Sequence, residues 1–248
     1  MSSEQHLALL LDAPLQSWGF ASRFQRRTTG MHPTKSGIVG LLAAALGVDK
    51  HSPEEAETIA ALAKLRMTAI TIPKTNTARF VRTTATLEIR RLADYHTVQG
   101  TRHANDKPSA KPDPRDTVVT YRQFLLDSRF GIILSASSAW NLPDRRGLAE
   151  VAAALRDPVW GIWFGRKCCI PAEPVYRGGP FSDEAEAWRT LLRAAGLNES
   201  LPRENFTRME EAGDFAAGTD TLNDQPVTFA KPNTHVPRRV RLKRAGET

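Results

Sequence analysis

Apolar patterning that reads in outline as strand, helix, two strands, helix, strand sets the fold that this 248-residue chain can reach. Leu7 to Leu11 is an unbroken apolar run of strand length, closed by Asp12-Ala13-Pro14. Thr34 stands as N-cap to a helix from Lys35 to Leu46, with Gly47 at its stop. The small residues Gly37, Gly40 and Ala43 to Ala45 let that helix pack closely on a sheet. Pro53 opens a second helix that runs to Lys64. Strands are predicted at Arg66 to Ile72 and Arg79 to Leu92, the latter with Val81, Thr83, Ala85, Leu87 and Ile89 on one face. His103 to Asp116 is charged and proline-containing, the composition of a mobile tip, and Thr117 to Phe124 resumes the alternation. Residues 79–129 thus read as one long hairpin. Phe130 to Ser137 is a core strand, Pro143 to Leu155 a helix and Val159 to Phe164 a last strand. Together they make the ferredoxin-like βαββαβ order of an α+β domain, which RNA-recognition domains share with many unrelated proteins.

The end of the chain has a different character. From Asp183 to Asp224 there are ten acids against four arginines, with a helix over Asp183 to Ala195 and a loop-rich remainder. Lys231 to Arg244 then carries six bases and no acid, with Val236, Val240 and Leu242 at strand spacing. The expected division is a domain over residues 1–180 and a C-terminal extension over 181–248.

Charge and cysteine usage narrow the class. Lys and Arg number 34 against 27 Asp and Glu, a net charge of +7, which suits a polyanion partner or simply a basic protein. No apolar run reaches membrane-span length, and Met1 to His6 is too polar for a signal peptide, so a cytoplasmic chain without membrane contact is expected. The two cysteines, Cys168 and Cys169, are neighbours and cannot reach ordinary disulfide geometry without strain. They read as reduced, partly buried thiols. No metal-ligand spacing is present, and no cofactor is expected.

Three segments carry candidate chemistry. Ala13 to Val48 holds Arg23, Arg26, Arg27 and Lys35, the aromatics Trp18, Phe20 and Phe24, and not one acid. Bases and rings leading into a helix start suit a nucleic-acid strand: cations and free amides meet phosphates, and ring faces stack on bases. Alternatively, Trp18 and Phe24 are core and the arginines are solvated. Gly30-Met31-His32-Pro33-Thr34-Lys35-Ser36 fails as a nucleotide-binding loop, having Thr34 where a second glycine is required, so Lys35 and Ser36 are read as donors to an RNA phosphate. Gly165-Arg166-Lys167 and Arg177-Gly178-Gly179 are turns in which backbone can approach a ligand and cations flank it, or ordinary basic turns. Asp94-Tyr95-His96-Thr97-Val98 offers a Tyr–His pair for acid–base work on an RNA 2′-hydroxyl, or for stacking and hydrogen bonding.

Pro14-Leu15-Gln16-Ser17-Trp18-Gly19, Pro33-Thr34-Lys35-Ser36-Gly37 leading to Gly40-Leu41-Leu42, Asp94 to Val98, and Gly165-Arg166-Lys167-Cys168-Cys169 occur in one order over residues 7 to 180. Together they resemble the RAMP superfamily of CRISPR proteins, and within it the type I-E Cascade subunit that caps the guide RNA. The resemblance implies an RRM-type ferredoxin-like domain whose long hairpin is the family's thumb. It implies a non-catalytic RNA-binding subunit on the 5′ handle of crRNA, with the Cascade backbone and large subunits as partners and target DNA near the guide's 5′ end as a further contact. Gln16, Ser17, Trp18, Arg23, Arg26, Arg27, Lys35, Ser36, Tyr95, His96, Arg122, Gly165, Arg166 and Lys167 are the RNA-binding residues expected on that reading. The alternative is a metal-independent endoribonuclease for CRISPR precursor RNA. A corresponding subunit of another subtype cuts RNA with a Tyr, Lys and His set, to which Tyr95-His96 shows no match.

Overall fold

In a computed structural model, which describes residues 4–19, 25–77, 84–100 and 117–247, the apolar run of β1 (Glu4–Asp12) is buried on both sides of a large sheet. Leu7, Leu9 and Leu11 face one core and Ala8 and Leu10 the other. A strand covered on both faces needs no polar alternation, so the run is continuous. The chain continues through two short strands, β2 (Leu15–Gln16) and β3 (Arg26–Arg27), into the helices α1 (Lys35–Leu46) and α2 (Glu55–Ala63). Next come β4 (Arg66–Thr71), β5 (Lys74–Thr77), β6 (Thr84–Leu87), β7 (Arg90–Gln99), β8 (Thr117–Leu126) and β9 (Arg129–Ser137). The remainder is α3 (Leu148–Arg156), β10 (Tyr176–Phe181), α4 (Glu184–Ala194), β11 (Arg208–Glu211), β12 (Asp220–Thr228) and β13 (Thr234–Lys243).

The architecture is α+β. Seven strands form one antiparallel sheet in the order β10-β1-β9-β4-β11-β13-β12. α1, α2 and α3 cover one face, and α4 covers the other with Trp188, Leu191 and Leu192. The caps expected for α1 are present: the Thr34 hydroxyl accepts from the Gly37 N–H, and Gly47 closes the helix at φ +74°. Gly37 is required for a second reason, because a β-carbon there would lie 2.8 Å from the Trp18 ring. No helix among the described residues is long and apolar enough to cross a membrane.

Three expectations are corrected. Val159 to Phe164 is not a strand. Its first two amides instead donate to the carbonyls of Ala45 and Ala44 at the end of α1, which leaves Val159, Trp160 and Trp163 exposed and only Phe164 buried. The strand beside β1 is β10, hidden in the sequence by Gly178, Gly179 and Pro180, which argue against a strand except at a sheet edge, where β10 lies. The last segment is not loop-rich: β11, β12 and β13 continue the sheet past β4, so the sheet runs unbroken across the expected boundary at residue 180. Its buried residues include Asp224 and Arg238, charges that a pattern reading assigns to the surface.

The long hairpin is shorter than expected at its base. β7 and β8 pair in unshifted register from Arg90↔Leu126 to Gln99↔Thr117, whereas Thr84–Leu87 pairs with Lys74–Thr77. The segment expected as a mobile tip, His103 to Asp116, lies outside the described residues.

Two histidines couple this core to pH. His6 contacts the Ser135 hydroxyl at 2.8 Å, and His32 packs on Phe130. Burial lowers the pKa of both below 6.5. The unfolded chain therefore takes up protons at a pH where the folded chain does not, and stability falls as pH drops below about 6.5. We expect a lower melting temperature at pH 5.5 than at 7.5, and a smaller difference in His32→Leu. An undiminished difference in that variant would remove His32 from the account.

Candidate nucleic-acid interface

β8 organises the candidate site. β7 pairs along its whole length, while β2 and β3 join it at Leu125–Leu126 and at Tyr121–Arg122. Alternation along β8 then sorts side chains onto two faces. Directly opposed residues share a face, which puts Arg26, Tyr95 and Tyr121 together and Arg27, Asp94 and Arg122 together.

The first face is aromatic and basic. Tyr95 and Tyr121 meet edge to face with ring centroids 5.4 Å apart, and both are more than half exposed. The Arg26 guanidinium lies 5.9 Å from the Tyr121 centroid. Two exposed rings and a cation at strand spacing make a stacking platform.

The second face is a cation cluster that the Gly165 turn completes. Arg166 lies over the Phe124 ring at 4.6 Å and donates to the carbonyls of Gln123 at 3.2 Å and Arg27 at 3.1 Å. Burial lowers its pKa from the usual arginine range, and the neighbouring Arg122 and Arg27 charges act in the same direction. Among the described residues no carboxylate lies within salt-bridge distance of Arg27, Arg122 or Arg166. Asp94 sits across from Arg122 but contacts His96 Nε2 instead. Lys167 reaches the exposed edge of Trp163, 5.9 Å from its centroid. Like charges held this close favour an anion between them.

The turn itself is glycine-dependent. Gly165 has φ +91°, and a β-carbon there would fall 1.6 Å from the Ser17 carbonyl oxygen. The Ser17 N–H donates to the Phe164 carbonyl at 3.0 Å, closing the turn against the segment after β2. Cys168 in this turn is exposed and Cys169 is buried, so the thiols are not equivalent as expected; burial, with the neighbouring Cys168, pushes the Cys169 pKa up to about 12.

Other expected site residues belong to the framework. Gln16 is fully buried, and its amide donates to the carbonyls of Leu11 and Ser128 and its oxygen accepts from the Trp18 indole. Ser17 and Trp18 are buried as well. Lys35 points inward as well: its side chain is 1 % exposed and its Nζ donates to the Leu65 carbonyl and, at 2.6 Å, to Glu211. Burial pulls the Lys35 ammonium below the usual lysine range, and Glu211 opposes that pull. The helix start that was expected to hold a phosphate holds a carboxylate of the chain itself, because Asp224 accepts from the Lys35 N–H at 2.8 Å. Ser36 is half-buried, with its hydroxyl 3.4 Å from that of Thr34. Arg23, with Phe20 and Phe24, lies outside the described residues. Sequence reasoning missed Tyr121 and Phe124, whose signal was the hairpin register: only pairing residue 95 with 121 reveals a tyrosine couple.

Comparison with known proteins places this chain. The family profile described as "CRISPR-associated protein (Cas_Cas5)" matches residues 6–241. The chain belongs to that Cas5 family. It is 29% identical over 174 residues to "CRISPR system Cascade subunit CasD" of Escherichia coli (strain K12), covering 70% of each chain. Among solved structures, this Cas5 chain resembles a component of a "CRISPR RNA-guided surveillance complex" with a TM-score of 0.63 at 24% identity, covering 96% of this chain and 88% of that one. It also resembles a structure described as "Crystal structure of Cas protein", with a TM-score of 0.58 at 26% identity over 98% and 97% of the two chains. The Cas5 family membership extends into the C-terminal strands, since the matched region ends in β13.

Proposed function

We propose that the chain is a non-catalytic RNA-binding subunit of a type I-E Cascade complex that caps the 5′ handle of crRNA. The observation that carries this reading is the convergence of Arg27, Arg122 and Arg166 on one face of β8 beside the Arg26–Tyr95–Tyr121 platform on the other. A single-stranded RNA offers phosphates to the first group and unstacked bases to the second. Lys167 extends the charged edge, and Arg23 is proposed as a further RNA contact. Gln16, Ser17, Trp18, Lys35 and Ser36 support this surface from within. The first unit is read as an RRM-type ferredoxin-like domain on the order β10-β1-β9-β4, and the β7–β8 hairpin as its thumb. The partners proposed are the Cascade backbone and large subunits, with target DNA passing near the guide's 5′ end, in the cytoplasm.

Salt dependence tests the reading. Binding of single-stranded RNA to the wild type should weaken steeply as salt rises. The variant carrying Arg27→Ala, Arg122→Ala and Arg166→Ala should lower the slope of log affinity against log salt by about 2, from ~0.7 per lost phosphate contact. An unchanged slope would remove the cluster from the interface. The endoribonuclease reading has one observation in its favour, the Asp94–His96 contact beside Arg122. RNA recovered from the same titrations in EDTA should be intact. Sequence-defined cleavage that disappears in His96→Ala would favour that reading instead.

A further inference from the structure

A cavity of about 240 Å³ opens between the loop from Thr29 to Thr34, the start of β7 at Arg91, and the C-terminal strands. Its walls are largely apolar, from Met31, Pro33, Met209 and Leu222, and Asp224 and His32 also line it. The volume lies below the ~300–1,000 Å³ of pockets that take drug-sized ligands, the scale of a single flat heterocycle.

The polar groups of the cavity have spare capacity. A carboxylate offers about four lone-pair positions. Three on Asp224 are taken: Arg238 Nε donates to Oδ1 at 2.6 Å, and Arg238 Nη2 and the Lys35 N–H donate to Oδ2 at 3.0 and 2.8 Å. One position on Oδ1 remains, on a carboxylate clamped in place. His32 Nδ1 is buried and has no hydrogen-bond partner among the described residues, and burial favours the neutral ring. An orphaned buried nitrogen and a clamped acceptor on residues that line one cavity suit a ligand bearing both a donor and an acceptor.

The cavity also adjoins the cation cluster. Thr29, on its rim, follows Arg27 by two residues, and its N–H lies 3.4 Å from the Gln123 side-chain oxygen. Gln123 is the neighbour of Arg122 and gives its carbonyl to Arg166. Through Gln123 the rim of the cavity is thus linked to the cluster.

We infer that this cavity receives one unstacked nucleobase of the bound RNA and favours a base with an exocyclic amine. The apolar walls take the ring faces, and Asp224 Oδ1 accepts from the amine. Uracil fits poorly, because its single Watson–Crick-edge N–H is flanked on both sides by carbonyl oxygens that would meet the carboxylate charge. The inference rests on the RNA-binding reading above and adds a base preference to it.

Twelve-nucleotide oligo(C) and oligo(U) RNAs, titrated at two salt concentrations, test it, because the two pyrimidines stack alike and differ in the amine. The wild type should bind oligo(C) about tenfold more tightly than oligo(U). Leu222→Trp, which fills the cavity from β12, and Met31→Trp, which fills it from the opposite loop, should abolish that difference and leave the salt slope unchanged. Equal affinities in the wild type, or a preference that survives in a folded filled variant, would overturn the pocket while the steep salt dependence kept the RNA-binding reading standing. Absence of binding to either RNA would overturn both.

Discussion

Replacing Lys35 by alanine is expected to lower folding stability by about 3–5 kcal/mol, the usual cost of leaving one member of a buried ion pair without its partner. For a chain of this length that is a fall of roughly 6–20 °C in melting temperature. Among the described residues, Glu211 would lose the ammonium at 2.6 Å and keep the Met67 N–H at 3.0 Å and the more distant Arg238 at 3.8 Å. The Leu65 carbonyl would lose its donor as well. Denaturant or thermal unfolding measures the loss. A cycle with Glu211→Gln should recover part of it, since the double variant removes both charges. Lys35→Ala with wild-type stability but weakened RNA binding would instead put its ammonium on the ligand.

Gly165→Ala should cost stability and RNA affinity together. The left-handed φ of +91° adds about 1–3 kcal/mol of strain for any residue with a β-carbon. The new methyl would also meet the Ser17 carbonyl, which cannot retreat freely because Ser17 is bonded to Phe164 and Gln123. Either the turn or the segment after β2 must shift, and the turn carries Arg166. Affinity should therefore fall at least as far as in Arg166→Ala. Gly196→Ala separates the two causes: its φ is +69°, and open space surrounds the position of its β-carbon. Its cost should be the backbone part alone. Equal losses in the two variants would mean that the contact with Ser17 is relieved without consequence.

Local signals were read well because their causes are local. The cap at Thr34 and the stop at Gly47 depend on a few neighbouring dihedrals and hydrogen bonds. The twofold alternation of β8 and the run of β1 depend on which side each residue faces. The acid-free stretch drew attention to Arg26 and Arg27 and the glycine turn to Arg166, three residues that the structure places around β8. Trp18 and Gln16 also drew attention, but as interior residues whose polar groups are used up by backbone carbonyls and by each other.

The sequence by itself determined the order of the first strands and helices, the cap and stop of α1, and the family membership visible in its motifs. Only the tertiary structure decided that β10 replaces the expected final strand, that the C-terminal strands complete the sheet, and that Lys35 is buried against Glu211. Each of those depends on a partner far along the chain: Ala44 for Trp160, Ile70 for Arg208, Glu211 for Lys35. Whether Lys35 faces solvent or a buried carboxylate is set by a residue more than a hundred positions away, and no local pattern of charge or apolarity carries that information.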